Sequence, residues 1–406
     1  MSTHHVLLVP GFFGFGSLGD LAYFAGIRPL LERCFERAGV RVSITEVVTL
    51  PTASIRVRAA RVRDALAEIV AASDGPIHIV GHSTGGLDAR LAIAPTASLP
   101  ARFEFSAYDR VRSLVTVCCS HFGSPVATFF SGWLGRWILR VGARYLSWGL
   151  ERGRLPLAFG LRFGYWLLGA WRAVRRAPNT FDELFTKLAR DLSDERRAEL
   201  ITFLRAIAAD EALVFQLTPA GCDLLNACTA EPDVRFGSVV ARAPRPRWSG
   251  FLRYFGDPYA QLVYPFYAFL YRLAARHEAR WIPEAVGSQR QRLLDCFGEL
   301  PSPRDNDGIC PTNSQLWGEL VHATTADHLD VVGHFGSAAR AAPDGDWLPS
   351  HSGFDAARFE RLWSDVATFI LADAAPHAPA ARVHDVGTER TAQDLPADEP
   401  SSARGA

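Results

Sequence analysis

Gly81-His82-Ser83-Thr84-Gly85 has the pattern Gly-x-Ser-x-Gly. A serine hydroxyl is a weak nucleophile until a neighbouring base takes its proton. A sharp strand-to-helix turn would lift Ser83 above a sheet edge, within reach of substrate. Small residues at 81 and 85 let the backbone fold that tightly, and Gly86 adds room for the helix to approach the strand. The helix after the turn would aim its N-terminal dipole at a developing oxyanion. The chemistry this spacing predicts is acyl transfer through Ser83. The same five-residue pattern also occurs in inert glycine-rich connections, so the flanking elements decide. Ile77–Val80 reads as a buried strand and Leu87–Ile93 as the opening of a helix, which is the context the chemistry needs.

An oxyanion needs two backbone N–H donors. Thr84, the residue after the serine, would supply one. The loop Pro10-Gly11-Phe12-Phe13-Gly14-Phe15-Gly16, after the first strand, would supply the other at Phe12. The chain order expected for the remaining groups is acid, then histidine. Asp305-Asn306-Asp307-Gly308 reads as a loop carrying an acid. Downstream of the serine lie His277, His322, His328, His334, His351, His377 and His384, and local chemistry does not choose among His322, His328, His334 and His351.

The elements that must position these groups alternate. Residues 6–9 read as a strand, 27–38 as a helix, 40–48 as a strand and 55–72 as a helix with one apolar face. The strand 77–80, the helix from 87 and the strand 114–117 follow. Such alternation predicts a parallel sheet flanked by helices. The pattern resumes with a strand near 234–240 and closes with an amphipathic helix at 354–371. From Arg112 to Arg136 no charged residue intervenes. That length could cross a bilayer, but the stretch holds a β-branched strand and loop chemistry at Cys118–Pro125, so it reads as soluble structure.

Residues 126–176 contain nine arginines and one glutamate, with Trp133, Trp137, Trp148, Trp166 and Trp171 among them. Trp133, Trp137, Val141, Tyr145 and Trp148 share one helical face beside Arg136, Arg140 and Arg144. This pattern suits a lid, or a surface resting on anionic lipid. It equally suits a buried helical cap whose arginines pair with segment 177–234, which has eleven acids and five bases. Over the whole chain Lys+Arg and Asp+Glu number 43 each. That balance argues against a nucleic-acid binder. Hydrophobic residues at 48% exclude wholesale disorder, although 376–406 reads as a disordered tail. Seven irregularly spaced cysteines show no zinc pattern.

Four stretches taken together resemble the bacterial true lipases, the calcium-containing triacylglycerol lipases of the Pseudomonas and Burkholderia type. They are Pro10–Phe15 with Tyr23–Ile27 and Thr45–Val47, then Gly81–Gly86, then Asn306-Asp307-Gly308-Ile309, then His328-Leu329-Asp330. The resemblance covers about residues 6–125 and 215–335. It implies an α/β-hydrolase fold, Ser83 as nucleophile, Asp307 as the acid that orients the imidazole, and His328 as general base. It also implies a helical lid over an acyl-binding cleft, and a structural calcium ion with Asp330 as a ligand, the chemistry itself needing no cofactor. Departures are Pro10 where the family has His, His334 where it has Gln, and Asn313 where it has a disulfide cysteine, with Cys310 nearby.

These readings predict an α/β chain with a discontinuous hydrolase core at 1–125 and 215–375. A helical cap would occupy 126–214, and a second aromatic insertion about 245–285. The expected function is a serine hydrolase of hydrophobic carboxylic esters. An acyltransferase or polyester depolymerase with the same three groups is the alternative, and an inactive lipid-binding protein of the same fold is the alternative from another class. The N-terminus shows no basic stretch before a long apolar run. The expected location is therefore cytoplasmic, with peripheral membrane contact through 126–176.

Overall fold

The computed structural model describes residues 3–12, 17–18, 21–152, 198, 201–202, 205, 212–247, 254, 258–276, 282, 284–336 and 346–372. The described residues fall in one compact unit, Met1–Ala372. In chain order its elements are β1 (His4–Val9), α1 (Ile27–Arg37), β2 (Val42–Glu46), α2 (Ile55–Ala72), β3 (Ile77–His82), α3 (Thr84–Ile93) and β4 (Val111–Val117). There follow α4 (Pro125–Ser131), α5 (Trp133–Arg152), α6 (Ala212–Gln216), α7 (Pro219–Cys228), β5 (Arg235–Ala241), α8 (Pro258–Ala274), α9 (Gly287–Phe297), β6 (Glu319–Thr324) and α10 (Ala356–Leu371).

The six strands form one sheet in the order β2-β1-β3-β4-β5-β6, and every pair is parallel. A parallel sheet needs both faces covered, and the alternation along each strand divides the core accordingly. Leu7, Val9, Ile77 and Ile79 pack with Ala59, Val62 and Leu66 of α2 and Ala89 of α3. Val6, Leu8 and Val80 face the other way, onto Leu31 and Phe35 of α1 and Trp363 and Val366 of α10. Each large apolar side chain buried this way contributes about 1.5–3 kcal/mol. All residues of β3 are buried, as expected of a central strand. Because the strands run in one direction, the loops after β1, β3, β4, β5 and β6 gather at one edge of the sheet, where ligands bind in such folds.

The boundaries differ from expectation in instructive ways. β2 stops at Glu46, and Val48 lies exposed beyond it. α3 begins at Thr84, directly after the serine. Sequence pattern alone gives no strand at β6, because the polar residues Glu319, His322 and Thr324 mask the alternation. The uncharged stretch 112–136 is β4, a loop, α4 and the start of α5. No helix among the described residues is long and apolar enough to cross a membrane. The helical spacing expected from Trp133 is observed as α5, while Trp166, Trp171, most of 153–211 and the tail 376–406 lie outside the described residues. All seven cysteines are free.

Candidate active site

Ser83 stands between the last residue of β3 and the first of α3, with φ 54° and ψ −128°. Positive φ is costly for a residue with a Cβ. The surrounding backbone holds it there: Ser83 N–H donates to the Val117 carbonyl at 2.9 Å, and Gly86 N–H to the Ser83 carbonyl at 3.1 Å. The glycines are required. A Cβ on Gly81 would lie 2.6 Å from the Gly85 carbonyl oxygen, one on Gly85 would lie 2.3 Å from that of Val9, and one on Gly86 would lie 2.7 Å from Cys119 Sγ. The helix and the strand therefore approach as closely as the turn demands.

Asp307 lies between α9 and β6, where Ala243 N–H, just past β5, donates to the Asn306 carbonyl at 2.9 Å, and His328 lies in the loop after β6. His328 Nδ1 donates to Asp307 Oδ2 at 2.7 Å, and both residues are buried. Asp307 is saturated by donors. Its Oδ1 accepts from the Ile309 and Cys310 N–H groups at 2.9 and 2.7 Å, and its Oδ2 also accepts from Gln315 Nε2 at 3.1 Å. Gln315 Oε1 in turn accepts from Ala241 N–H at 2.8 Å, fastening the acid loop to the end of β5. The His328 ring packs against that of His82, centroids 4.7 Å apart, and the His328 carbonyl accepts from His82 Nε2 at 3.0 Å. His328 thus sits beside the residue that precedes Ser83.

The other histidines are engaged elsewhere. His322 is on edge strand β6, paired with Asp365 of α10 at 2.7 Å. Three strand spacings separate it from β3, roughly 14 Å. His334 Nε2 faces the Tyr23 carbonyl at 3.0 Å, its ring stacked on Trp347, while His351 stacks on Tyr254. Asp305 is held by Arg245 and is not the acid that meets His328.

The loop after β1 is braced by two residues to which motif reading assigns no role, Arg58 and Tyr23. Arg58 of α2 is fully buried. It donates to Asp88 Oδ2 at 2.8 Å, the Gly11 carbonyl at 2.8 Å, the Pro10 carbonyl at 3.0 Å and Thr84 Oγ1 at 3.3 Å. In a trans peptide the C=O and the following N–H point in opposite directions. By holding the Gly11 carbonyl, Arg58 turns the Phe12 N–H away from itself. Tyr23 holds the preceding peptide from the other side: Gly11 N–H donates to Tyr23 Oη at 2.8 Å. A Cβ on Gly11 would lie 2.7 Å from Ser83 Cβ, so this loop lies directly against the serine. Burial pushes the Asp88 carboxyl up to about 6 even with Arg58 beside it. A clue to Arg58 was available: it lies three residues after Ile55 and four before Val62, on the buried face of α2.

Tyr23 also bonds His82 Nδ1 at 2.7 Å. The proton positions follow. The His328 carbonyl only accepts, so His82 Nε2 carries the hydrogen, and Nδ1 accepts from the Tyr23 hydroxyl. Burial and then neighbouring His328 pull the His82 pKa well below 6.5, keeping the ring neutral. Burial pushes the Tyr23 hydroxyl up, keeping it protonated. One chain of hydrogen bonds thus joins the Gly11 amide, Tyr23, His82 and the backbone of His328.

Asp330, two residues beyond His328, belongs to a carboxylate group. Ligand oxygens of Asp327, Asp330 and Asp346 lie within 4.8 Å of one another. Ser352 Oγ donates to Asp330 Oδ2, and Ser350 Oγ to Asp327 Oδ2, each at 2.6 Å. Burial raises both buried carboxyls, Asp330 further because the charge of Asp327 adjoins it. An all-oxygen set of this kind fits a hard divalent cation. His334, which follows in sequence, turns its Nε2 to the Tyr23 carbonyl instead.

No protein-family model matches the chain, and no curated protein matches its sequence. Solved structures do align. A metagenomic carboxyl esterase covers 90% of this chain and 75% of its own, at 18% identity and TM-score 0.47. Lipase 1 from Pelosinus fermentans covers 90% and 99%, at 16% identity and TM-score 0.44. The mature lipase of Bacillus licheniformis covers 80% and 85%, at 13% identity and TM-score 0.40. The architecture stands on the sheet itself: parallel strands flanked by helices, with a strained serine turn after the central strand. The fold is that of an α/β-hydrolase.

Proposed function

We propose that the chain is a serine hydrolase of hydrophobic carboxylic esters, of the bacterial true-lipase kind, working through an acyl-enzyme. The observation that carries this reading is the 2.7 Å bond between Asp307 and His328, with His328 packed against His82 beside the strained Ser83. Ser83 Oγ attacks the ester carbonyl carbon while its proton passes to His328 Nε2. Asp307 holds the Nδ1–H and stabilises the imidazolium without taking the proton. The N–H groups of Thr84 and Phe12 receive the oxyanion. Thr84 is the first residue of α3, where the N–H groups have no partner within the helix. Collapse expels the alcohol, which takes the proton from His328. Water, deprotonated by the same imidazole, then attacks the acyl-enzyme and releases the acid.

Asp327, Asp330 and Asp346 would hold a calcium ion in this reading. When bound, the ion supplies charge neutralisation behind the turn that carries His328, and no chemical step passes through it. Turnover of nitrophenyl esters by the parent, Ser83→Ala and Asp307→Asn proteins tests the assignment. Loss of the nucleophile lowers kcat by several orders of magnitude. Near-parental hydrolysis by Ser83→Ala contradicts it.

A further inference from the structure

The acyl-transfer chemistry leaves a buried nucleophile beside the site unused. Cys310 follows Asp307 by three residues, is 3% exposed and is in no disulfide. Its own N–H donates to Asp307 Oδ1 at 2.7 Å, and the Asp307 N–H donates to the Cys310 carbonyl at 3.1 Å. These two bonds fold the acid loop back on itself and bring the thiol to the acid. The Cys310 Sγ, a carboxylate oxygen of Asp307 and a ring nitrogen of His328 all lie within 4.8 Å of one another. Ester hydrolysis uses the carboxylate and the imidazole and has no task for the sulfur. Among the described residues, this group and the three aspartates Asp327, Asp330 and Asp346 are the sets that bring three such ligand atoms together. Their chemistry differs. The aspartates offer hard oxygens alone, whereas a thiolate, an imidazole and a carboxylate are the donors of a zinc ion.

We propose that a thiophilic divalent cation, with Zn²⁺ as the type, binds Cys310, Asp307 and His328 and switches the candidate active site off. The fit is geometric. With Zn–S at about 2.3 Å and Zn–N and Zn–O at about 2.0–2.2 Å, tetrahedral ligand atoms stand roughly 3.3–3.6 Å apart. The group reaches that spacing with shifts of about an ångström at most, and the 2.7 Å bond between Asp307 and His328 is the one that must lengthen. The cation takes the place of the thiol proton and of the hydrogen on the ring nitrogen it binds. Three protein ligands leave the fourth position to water. Loading takes Asp307 away from His328 and sets a divalent charge on the ring, so the imidazole no longer accepts the Ser83 proton. Inhibition, as the consequence, rests on the ester-hydrolase reading; binding rests on the cluster alone.

Zinc at buffered free concentrations is titrated against hydrolysis of a soluble ester by the full chain, with calcium in excess so that zinc is kept from the three aspartates. The parental chain is expected to lose activity and to regain it when zinc is chelated. Magnesium, a hard ion with no preference for sulfur, should not inhibit. Each variant is scored against its own zinc-free rate. Cys310→Ala should raise the inhibitory zinc concentration at least about a hundred-fold, since outer-shell partners alone are worth about 10–100-fold in metal affinity. Cys310→Ser, closer in size, serves if the alanine variant does not fold. Binding is read without turnover through Co²⁺, which shows a sulfur-to-cobalt charge-transfer absorption when a thiolate ligates it. Cys228 and Cys296 are exposed, so the spectrum is taken on Cys228→Ser with Cys296→Ser, and adding Cys310→Ala should abolish the band. Inhibition unmoved by the Cys310 variants, no inhibition of an active chain, or no cobalt–thiolate band overturns the inference. If the band depends on Cys310 but the parental chain turns over no ester, the metal site stands and the hydrolase reading fails.

Discussion

Arg58 offers the sharpest test of how the site is held. Its guanidinium reaches in several directions at once, to Asp88, to the carbonyls of Pro10 and Gly11, and to Thr84 Oγ1. Lysine has no planar fork and cannot reproduce that set. Arg58→Lys should keep a charge near Asp88 while releasing one or both loop carbonyls. With the Gly11 carbonyl released, the Phe12 N–H loses its aim. Removal of one oxyanion donor costs about 10²–10³ in kcat, so a fall of about a hundred-fold is expected, with KM changing far less. Stability should also fall, by about 1–3 kcal/mol for each buried carbonyl left unsatisfied. Because a lone Asp88 could unfold the chain, Arg58→Met with Asp88→Leu serves as the companion, since apolar replacement of a whole buried pair is often neutral. The assay is steady-state hydrolysis of a soluble ester beside urea unfolding. A cooperatively folded Arg58→Lys protein with kcat within about three-fold of the parent would refute the aiming argument, the reference loss being that of an oxyanion donor.

Three further outcomes follow from the same structure. Tyr23→Phe leaves the Gly11 amide and His82 Nδ1 without their partner; a loss of about 1.4 kcal/mol in transition-state aim lowers kcat about ten-fold, and an unchanged kcat sinks the coupling. Burial, with His4 adjoining, lowers the His78 pKa to about 3, whereas the unfolded residue titrates near 6.5. The unfolded chain therefore binds the extra proton below 6.5, and stability is lost as pH falls through the window from 6.5 towards 3. At pH 5 this amounts to about 2 kcal/mol from His78; an identical pH slope in His78→Asn would contradict it. Calcium at a hundred times its Kd should add about 2.7 kcal/mol of stability, read as a higher Tm, and Asp330→Asn should abolish the gain; a gain retained in that variant would place the ion elsewhere.

The parts of this arrangement that were legible in the sequence are the local ones. The alternation of strands and helices, and the small residues at 81, 85 and 86, are short-range constraints that each position satisfies by itself. The acid and the histidine needed the ordered motifs Asn306–Ile309 and His328–Asp330, since periodicity could not separate His328 from His322, which also pairs with a carboxylate. The braces were hidden for a physical reason. Arg58 is one of four arginines in α2, and its partners in α3 and in the loop after β1 lie 26 to 48 residues away. Gln315 and Tyr23 likewise act across the fold, Tyr23 on a histidine 59 residues on. Their chemistry is ordinary until the sheet brings the loop ends together. The cap was half legible: the helix from Trp133 followed from spacing, but whether its aromatic face pointed inward depended on neighbours that spacing does not reveal.

The central claim is that Ser83 is a nucleophile activated by His328 and Asp307. Intact-mass and peptide mass spectrometry after treatment with a fluorophosphonate tests it most directly. The account predicts one adduct per chain, located at Ser83, formed far more slowly in His328→Ala. An unmodified chain, or an adduct formed at another residue, would contradict it.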